Sequence, residues 1–98
     1  MRRPSERLIK KVQKENLWMF ILRLIEKNSM YGNEIREKIK NSFGFWCGNM
    51  TAYKVLYLLK NGGYVNSEKK NGKVYYKATQ KGIKELKEAE NFLKSLIR

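Results

Sequence analysis

The stretch Asn49–Thr79, NMTAYKVLYLLKNGGYVNSEKKNGKVYYKAT, changes its hydrophobic period part-way along and decides how the rest of the chain is read. Up to Asn61, the residues Ala52, Val55, Leu56 and Leu59 recur at the three- and four-residue spacing of a buried helical stripe. Asn49 is positioned to cap a helix from Met50 to Asn61, and Gly62-Gly63 stops it. Past the glycines the period falls to two. Tyr64–Glu68 and Lys73–Ala78 are β-branched and aromatic, and the Asn71-Gly72 pair between them favours a type I′ hairpin turn. The helix leaves Asn49, Thr51, Tyr53, Lys54 and Tyr57 for its outer face, while the hairpin offers Lys69, Lys70, Lys73 and Lys77.

Working outward, three helical segments precede this stretch. Ser5–Lys14 is amphipathic through Leu8, Ile9 and Val12. Leu17–Lys27 is apolar on most sides (Trp18, Phe20, Ile21, Leu22, Leu24, Ile25) and reads as the central core helix. A shorter helix from Gly32 to about Asn41 places Ile35 and Ile39 four apart, and the loop Ser42–Gly48 breaks it with two glycines. On the far side, Thr79 caps a final helix whose seam is Ile83, Leu86, Ala89, Leu93 and Leu96. Core helices with a glycine-containing turn before the recognition-type helix, then a hairpin, follow the winged helix-turn-helix plan. The expected fold is mainly α with a small β-hairpin (α+β), flanked by dimerisation helices. It divides into an N-terminal basic arm and helix (1–15), a DNA-binding domain (16–79) and a C-terminal dimerisation helix (80–98).

Composition narrows the function. The 98 residues carry 22 Lys+Arg against 9 Asp+Glu, a formal charge of +13, which calls for a polyanionic partner. The surplus is uneven: residues 51–82 hold 7 basic side chains and 1 acid. With no histidine and only Cys47, there is no imidazole base, no Cys-His pair, no internal disulfide and no cysteine zinc site. The 9 acids are scattered along helix faces rather than paired, so neither an enzyme nor a cofactor or metal site is expected. The longest uncharged apolar run, Leu17–Leu22, is far too short to span a bilayer, and no signal peptide is legible; a cytoplasmic protein without membrane association is expected.

Three segments also resemble a known family. YGNEI (Tyr31–Ile35) is similar to the entry to the second helix of PadR-like transcriptional regulators. TAYKVLYLLKNGGYV (Thr51–Val65) resembles their recognition helix and first strand, and GKVYYKATQKG (Gly72–Gly82) their wing and the start of the last helix. The resemblance runs from about Leu17 to the C-terminus. It implies a homodimeric DNA-binding regulator, usually a repressor, whose C-terminal helix pairs with the partner's N-terminal region. By the same resemblance Thr51 and Tyr53 contact the DNA backbone and Lys73 anchors the wing. The sequence departs from the family in three places. Lys54 stands where proline is usual, Leu58 where arginine is usual, and a single short helix follows the wing.

Each signal has a plainer reading beside it. The hairpin lysines also serve as ordinary protection of an edge strand. The seam Leu86, Ala89, Phe92, Leu93 and Leu96 either covers its own core or joins Leu8, Ile9 and Val12 in a dimer interface, which is the expectation adopted. Trp18, Trp46 and Phe92 are candidates to line a pocket for a small aromatic effector at the dimer centre, as the resemblance implies, although Trp18 reads first as core packing. Cys47 is a candidate redox switch or an incidental thiol. Arg2, Arg3 and Arg7 either form an arm that reaches phosphate or only add solubility. The reading adopted is a sequence-specific double-stranded-DNA-binding regulator, a homodimeric repressor on a pseudo-palindromic operator. A basic RNA- or ribosome-associated domain and a winged-helix protein-interaction module are its rivals.

Overall fold

In the computed structural model, which describes residues 3–97, the elements begin with α1 (Pro4–Glu15), α2 (Leu17–Ile25), β1 (Met30–Tyr31) and α3 (Gly32–Phe43). They continue with α4 (Asn49–Asn61), β2 (Val65–Lys70), β3 (Lys73–Ala78) and α5 (Gln80–Ser95). Around α2 every other element is arranged. Its Leu17, Ile21, Leu22 and Ile25 are buried, facing Ile35 and Ile39 of α3, Ala52, Leu56 and Leu59 of α4, Val65 and Ala78 of the sheet, and Leu86 of α5. Each such aliphatic side chain contributes about 1.5–3 kcal/mol when taken fully from water.

Local chemistry sets the element ends. Pro4 occupies the first turn of α1, where no backbone N–H is missed. Gly44, at φ 77°, closes α3 in the left-handed region, so that helix runs on to Phe43 rather than ending near Asn41. The N-cap of α4 is Gly48 and not Asn49, which lies inside the first turn; with no side chain, Gly48 leaves that end without a side-chain cap. Thr79 caps α5 as its spacing predicts: its Oγ1 accepts the Gly82 N–H at 3.1 Å and donates to the Gly63 carbonyl at 2.7 Å.

The sheet has three strands in the order β1-β3-β2, one more than the hairpin alone. Met30 and Tyr31 pair with Tyr76 and Tyr75, which ties the entry of α3 to the wing. In the hairpin, Val65 opposes Ala78 and Lys70 opposes Lys73, and Asn71 (φ 50°) and Gly72 (φ 77°) make the two-residue turn. Both central residues having positive φ is the type I′ signature that Asn-Gly satisfies without strain.

One expectation changes here, and two open readings are placed. Leu86, assigned to the dimer seam, is 2% exposed and closes the chain's own core, because its place on the first half of α5 turns it towards α2. Trp18 is half-buried and packs on the core, as its plainer reading has it. Of the arginines considered for an N-terminal arm, Arg2 lies outside the described residues, Arg7 is inside α1, and Arg3 pairs with Glu6 at 2.8 Å. No helix among the described residues is long and apolar enough to cross a membrane.

Candidate nucleic-acid interface

At 100° per residue, the buried side of α4 (Ala52, Val55, Leu56, Leu59) places Met50, Lys54, Tyr57 and Asn61 at its outermost line. These side chains stand free: Met50 is 87% and Tyr57 65% exposed, and Lys54 and Asn61 are exposed as well. Asn49, Thr51 and Tyr53 are also exposed but flank that line, with Tyr53 on one side and Thr51 on the other. Met50 was missed because an apolar residue at a helix start reads as core by default; its angle relative to Ala52 and Leu56 was the signal that could have found it.

Tyr53 fills the angle between α4 and α3. Its ring lies over Gly32, where a Cβ would collide with the hydroxyl end of the phenol, so the close approach depends on glycine at the first position of α3. It also adjoins Tyr76 of β3. The Tyr76 hydroxyl is pushed above its ordinary pKa by burial first and by the neighbouring Tyr53 second. Tyr53 is therefore a spacer that sets how α4 leans on α3 and the sheet, with one edge still open to solvent.

The four wing lysines do not form one surface. Directly opposed residues of an antiparallel pair share a face. Lys69 with Val74, and Ser67 with Tyr76, lie on the face that carries Val65 and Ala78 into the core. Lys70, Lys73, Tyr75 and Lys77 lie on the other face. There Lys73 is held: its Nζ sits 4.2 Å from the centroid of the Tyr31 ring, which meets Tyr75 edge to face at 5.6 Å. Lys77 turns back towards the body and donates to the Lys27 carbonyl at 3.0 Å, so its ammonium braces β3 against the end of α2. Lys69, Lys70 and Lys73, around the turn, are exposed at the tip.

The residues considered for a dimer fall into two sets. Leu8 and Ile9 of α1, with Phe92 and Leu93 of α5 and Leu96 at its C-cap, are exposed, as is Ile97 beyond it; Val12 and Ala89 are half-buried. An ion pair from Arg23 to Glu90, 2.6 Å, fixes α5 against α2 at the surface. Trp18 lines an apolar groove of about 390 Å³ with Leu17, Leu22, Val55, Leu58 and Tyr64, and its Nε1–H donates to Asn16 Oδ1 at 3.3 Å. Within a single protomer, the three aromatics considered for an effector site do not meet. Trp46 lines a different groove, and Phe92 lines neither. Leu58, which stands where the family usually has arginine, is part of that apolar groove rather than of the outermost line of α4.

Cys47 is buried beside Arg36, whose Nε donates to its carbonyl oxygen at 3.2 Å. Burial raises the thiol pKa and the guanidinium only partly offsets it, so the thiolate needed for redox chemistry is disfavoured.

The sequence model of the transcriptional regulator PadR-like family matches residues 21–88. Among solved structures, the chain is similar to a PadR-like transcription factor from Bacteroides fragilis, with 28% identity, a TM-score of 0.76, and 92% of this chain and 91% of that one covered. F93 from STIV, a winged-helix DNA-binding protein, shares the fold at 19% identity and a TM-score of 0.75, covering 86% of this chain and 92% of that one. So does PadR of Bacillus subtilis in complex with operator DNA, at 24% identity and a TM-score of 0.67, covering 85% of this chain and 49% of that one. No curated protein matches the chain.

Proposed function

The chain belongs to the transcriptional regulator PadR-like family, and from that premise we propose that it binds double-stranded DNA sequence-specifically as a homodimeric repressor on a pseudo-palindromic operator. The observation that carries this reading is the unobstructed outer line of α4, Met50, Lys54, Tyr57 and Asn61, beside a lysine-tipped wing. In this account α4 enters a major groove, where Lys54 and the flanking Asn49 meet base edges. Thr51, Tyr53 and the wing lysines, Lys73 first among them, meet phosphates. The charge of +13 supplies the affinity, and the helix face supplies the discrimination.

The dimer reading is supported by apolar side chains that the chain leaves uncovered. Segments 1–15 and 80–98 present Leu8, Ile9, Phe92, Leu93 and Leu96 to solvent, and a second copy is the partner that buries both sets at once. A flat aromatic effector would enter the Trp18 groove, with Phe92 arriving only from the partner; the effector site is proposed as a property of the dimer. The Lys77 contact with Lys27 makes Lys77 the weakest of the four wing lysines as a phosphate ligand.

Selection of bound duplexes from a random pool tests the reading. An inverted repeat whose half-sites are centred about one helical turn, ~34 Å, apart is the expected outcome. Enrichment of no motif, or preference for structured RNA in competition, would contradict it.

A further inference from the structure

One charged and aromatic surface enters the reading above only through Thr51: the groove between the C-terminal half of α1 and the loop that leads into α4. It encloses about 360 Å³ and is walled by Lys10, Gln13 and Lys14 on one side and by Trp46, Gly48 and Thr51 on the other; none of its lining residues is acidic. Trp46 is 57% exposed, yet its ring is fixed. Lys40 Nζ lies 4.7 Å and the Arg36 guanidinium carbon 5.9 Å from its centroid, and Arg36 also holds the carbonyl of the adjacent, buried Cys47. None of the hydrogen bonds among the described residues uses the Trp46 Nε1–H.

In the groove the ammonium groups of Lys10 and Lys14 and the Trp46 indole N–H are donors only, and Gln13 and Thr51 can donate as well, so the groove fits a ligand that is anionic and only accepts. A phosphodiester strand is such a ligand. Position selects which strand. Thr51 places the groove on the flank of α4 opposite Tyr53, and Tyr53 adjoins Tyr76 of the wing sheet.

We propose that this groove is a second backbone clamp, holding a phosphodiester strand of the same duplex that α4 enters, on the flank away from the wing. The proposal rests on the DNA-binding reading. With the wing on one side and Lys10, Lys14, Trp46 and Lys40 on the other, the angle of α4 in the major groove is fixed from both sides. The clamp also gives α1 a nucleic-acid role in addition to its apolar one.

The chain has two tryptophans, so Trp18→Phe leaves Trp46 as the sole indole reporter in the full-length protein. The probe is a labelled mixed-sequence duplex at about 50 mM salt, where phosphate contacts dominate binding. Saturation with duplex is expected to lower acrylamide quenching of Trp46 about twofold, because the strand and its waters cover the ring. Unchanged quenching, while anisotropy reports the duplex bound, would overturn the clamp. Independently, Lys10→Gln/Lys14→Gln, on exposed positions of α1, should make the dependence of log K on log salt shallower by about 0.9 for each contact removed. An unchanged slope would also overturn it. Binding that responds to Lys73→Ala but to neither groove experiment defeats the clamp alone, whereas a wild-type chain that binds no duplex defeats the DNA-binding reading with it.

Discussion

Helices α1 and α2 are separated by Asn16 alone, yet they are held by different means. In α2 four of nine residues are buried, and the helix is the post against which α3, α4, α5 and the sheet pack. In α1 none of twelve is buried, although Leu8, Ile9 and Val12 make it amphipathic. The same contrast recurs within α5, where Leu86 is 2% exposed and Leu93 43%. An isolated helix as short as α1 is marginal in water. The difference teaches that a helical apolar stripe states only that something will cover it. In α2 and the first half of α5 the cover comes from this chain, and in α1 and the second half of α5 this chain leaves the stripe open.

The comparison breaks most visibly in the core. Ile21→Ala should cost about 2–5 kcal/mol in urea unfolding, since the site is fully enclosed and collapses only in part. Leu8→Ala should cost far less at protein concentrations where the chain is monomeric, and equal losses at the two sites would erase the contrast. Next in size, Leu93→Asp should convert dimers into monomers in sedimentation while leaving the helical content intact; a persisting dimer would refute the shared seam.

A smaller effect sharpens the distinction between the wing and the reading helix. Lys73→Ala should weaken binding to all duplexes about equally and make the salt slope shallower by about one unit. Lys54→Ala should instead change which duplex is preferred, and its assignment falls if affinity and preference both stay as they were. The smallest effect concerns Cys47. Its buried thiol, with the pKa raised by burial, should react with a neutral alkylating reagent near pH 8 well below the rate of the unfolded chain. Equal rates would mean that the loop opens freely.

Much of this was legible because it is local. The period change at Gly62-Gly63, the Asn71-Gly72 turn and the Thr79 cap are each fixed by residues within a few positions of one another, and the winged helix-turn-helix plan follows from their order. Strand β1 was not legible, since two residues have no alternation to read and their partners, Tyr75 and Tyr76, lie far along the chain. For Leu86 the helical spacing was correct, but spacing carries no information about which surface does the covering. The division of the wing lysines between two faces follows from the pleat once the register is known. The hold of Lys27 on Lys77 requires a tertiary approach that composition does not encode. Trp46 was noticed as an aromatic, but its neighbours within the chain were not legible, because Arg36 and Lys40 come from a different helix and Lys10 and Lys14 from another.

The central claim is that the outer line of α4 occupies the wide groove of a duplex. Dimethyl sulfate protection reads it most directly, since guanine N7 faces that groove. On a duplex recovered by selection, the protein should shield N7 in two patches about one helical turn apart, and Lys54→Ala should thin both patches while the backbone footprint stays in place. Binding that leaves every guanine N7 open to methylation would contradict the account.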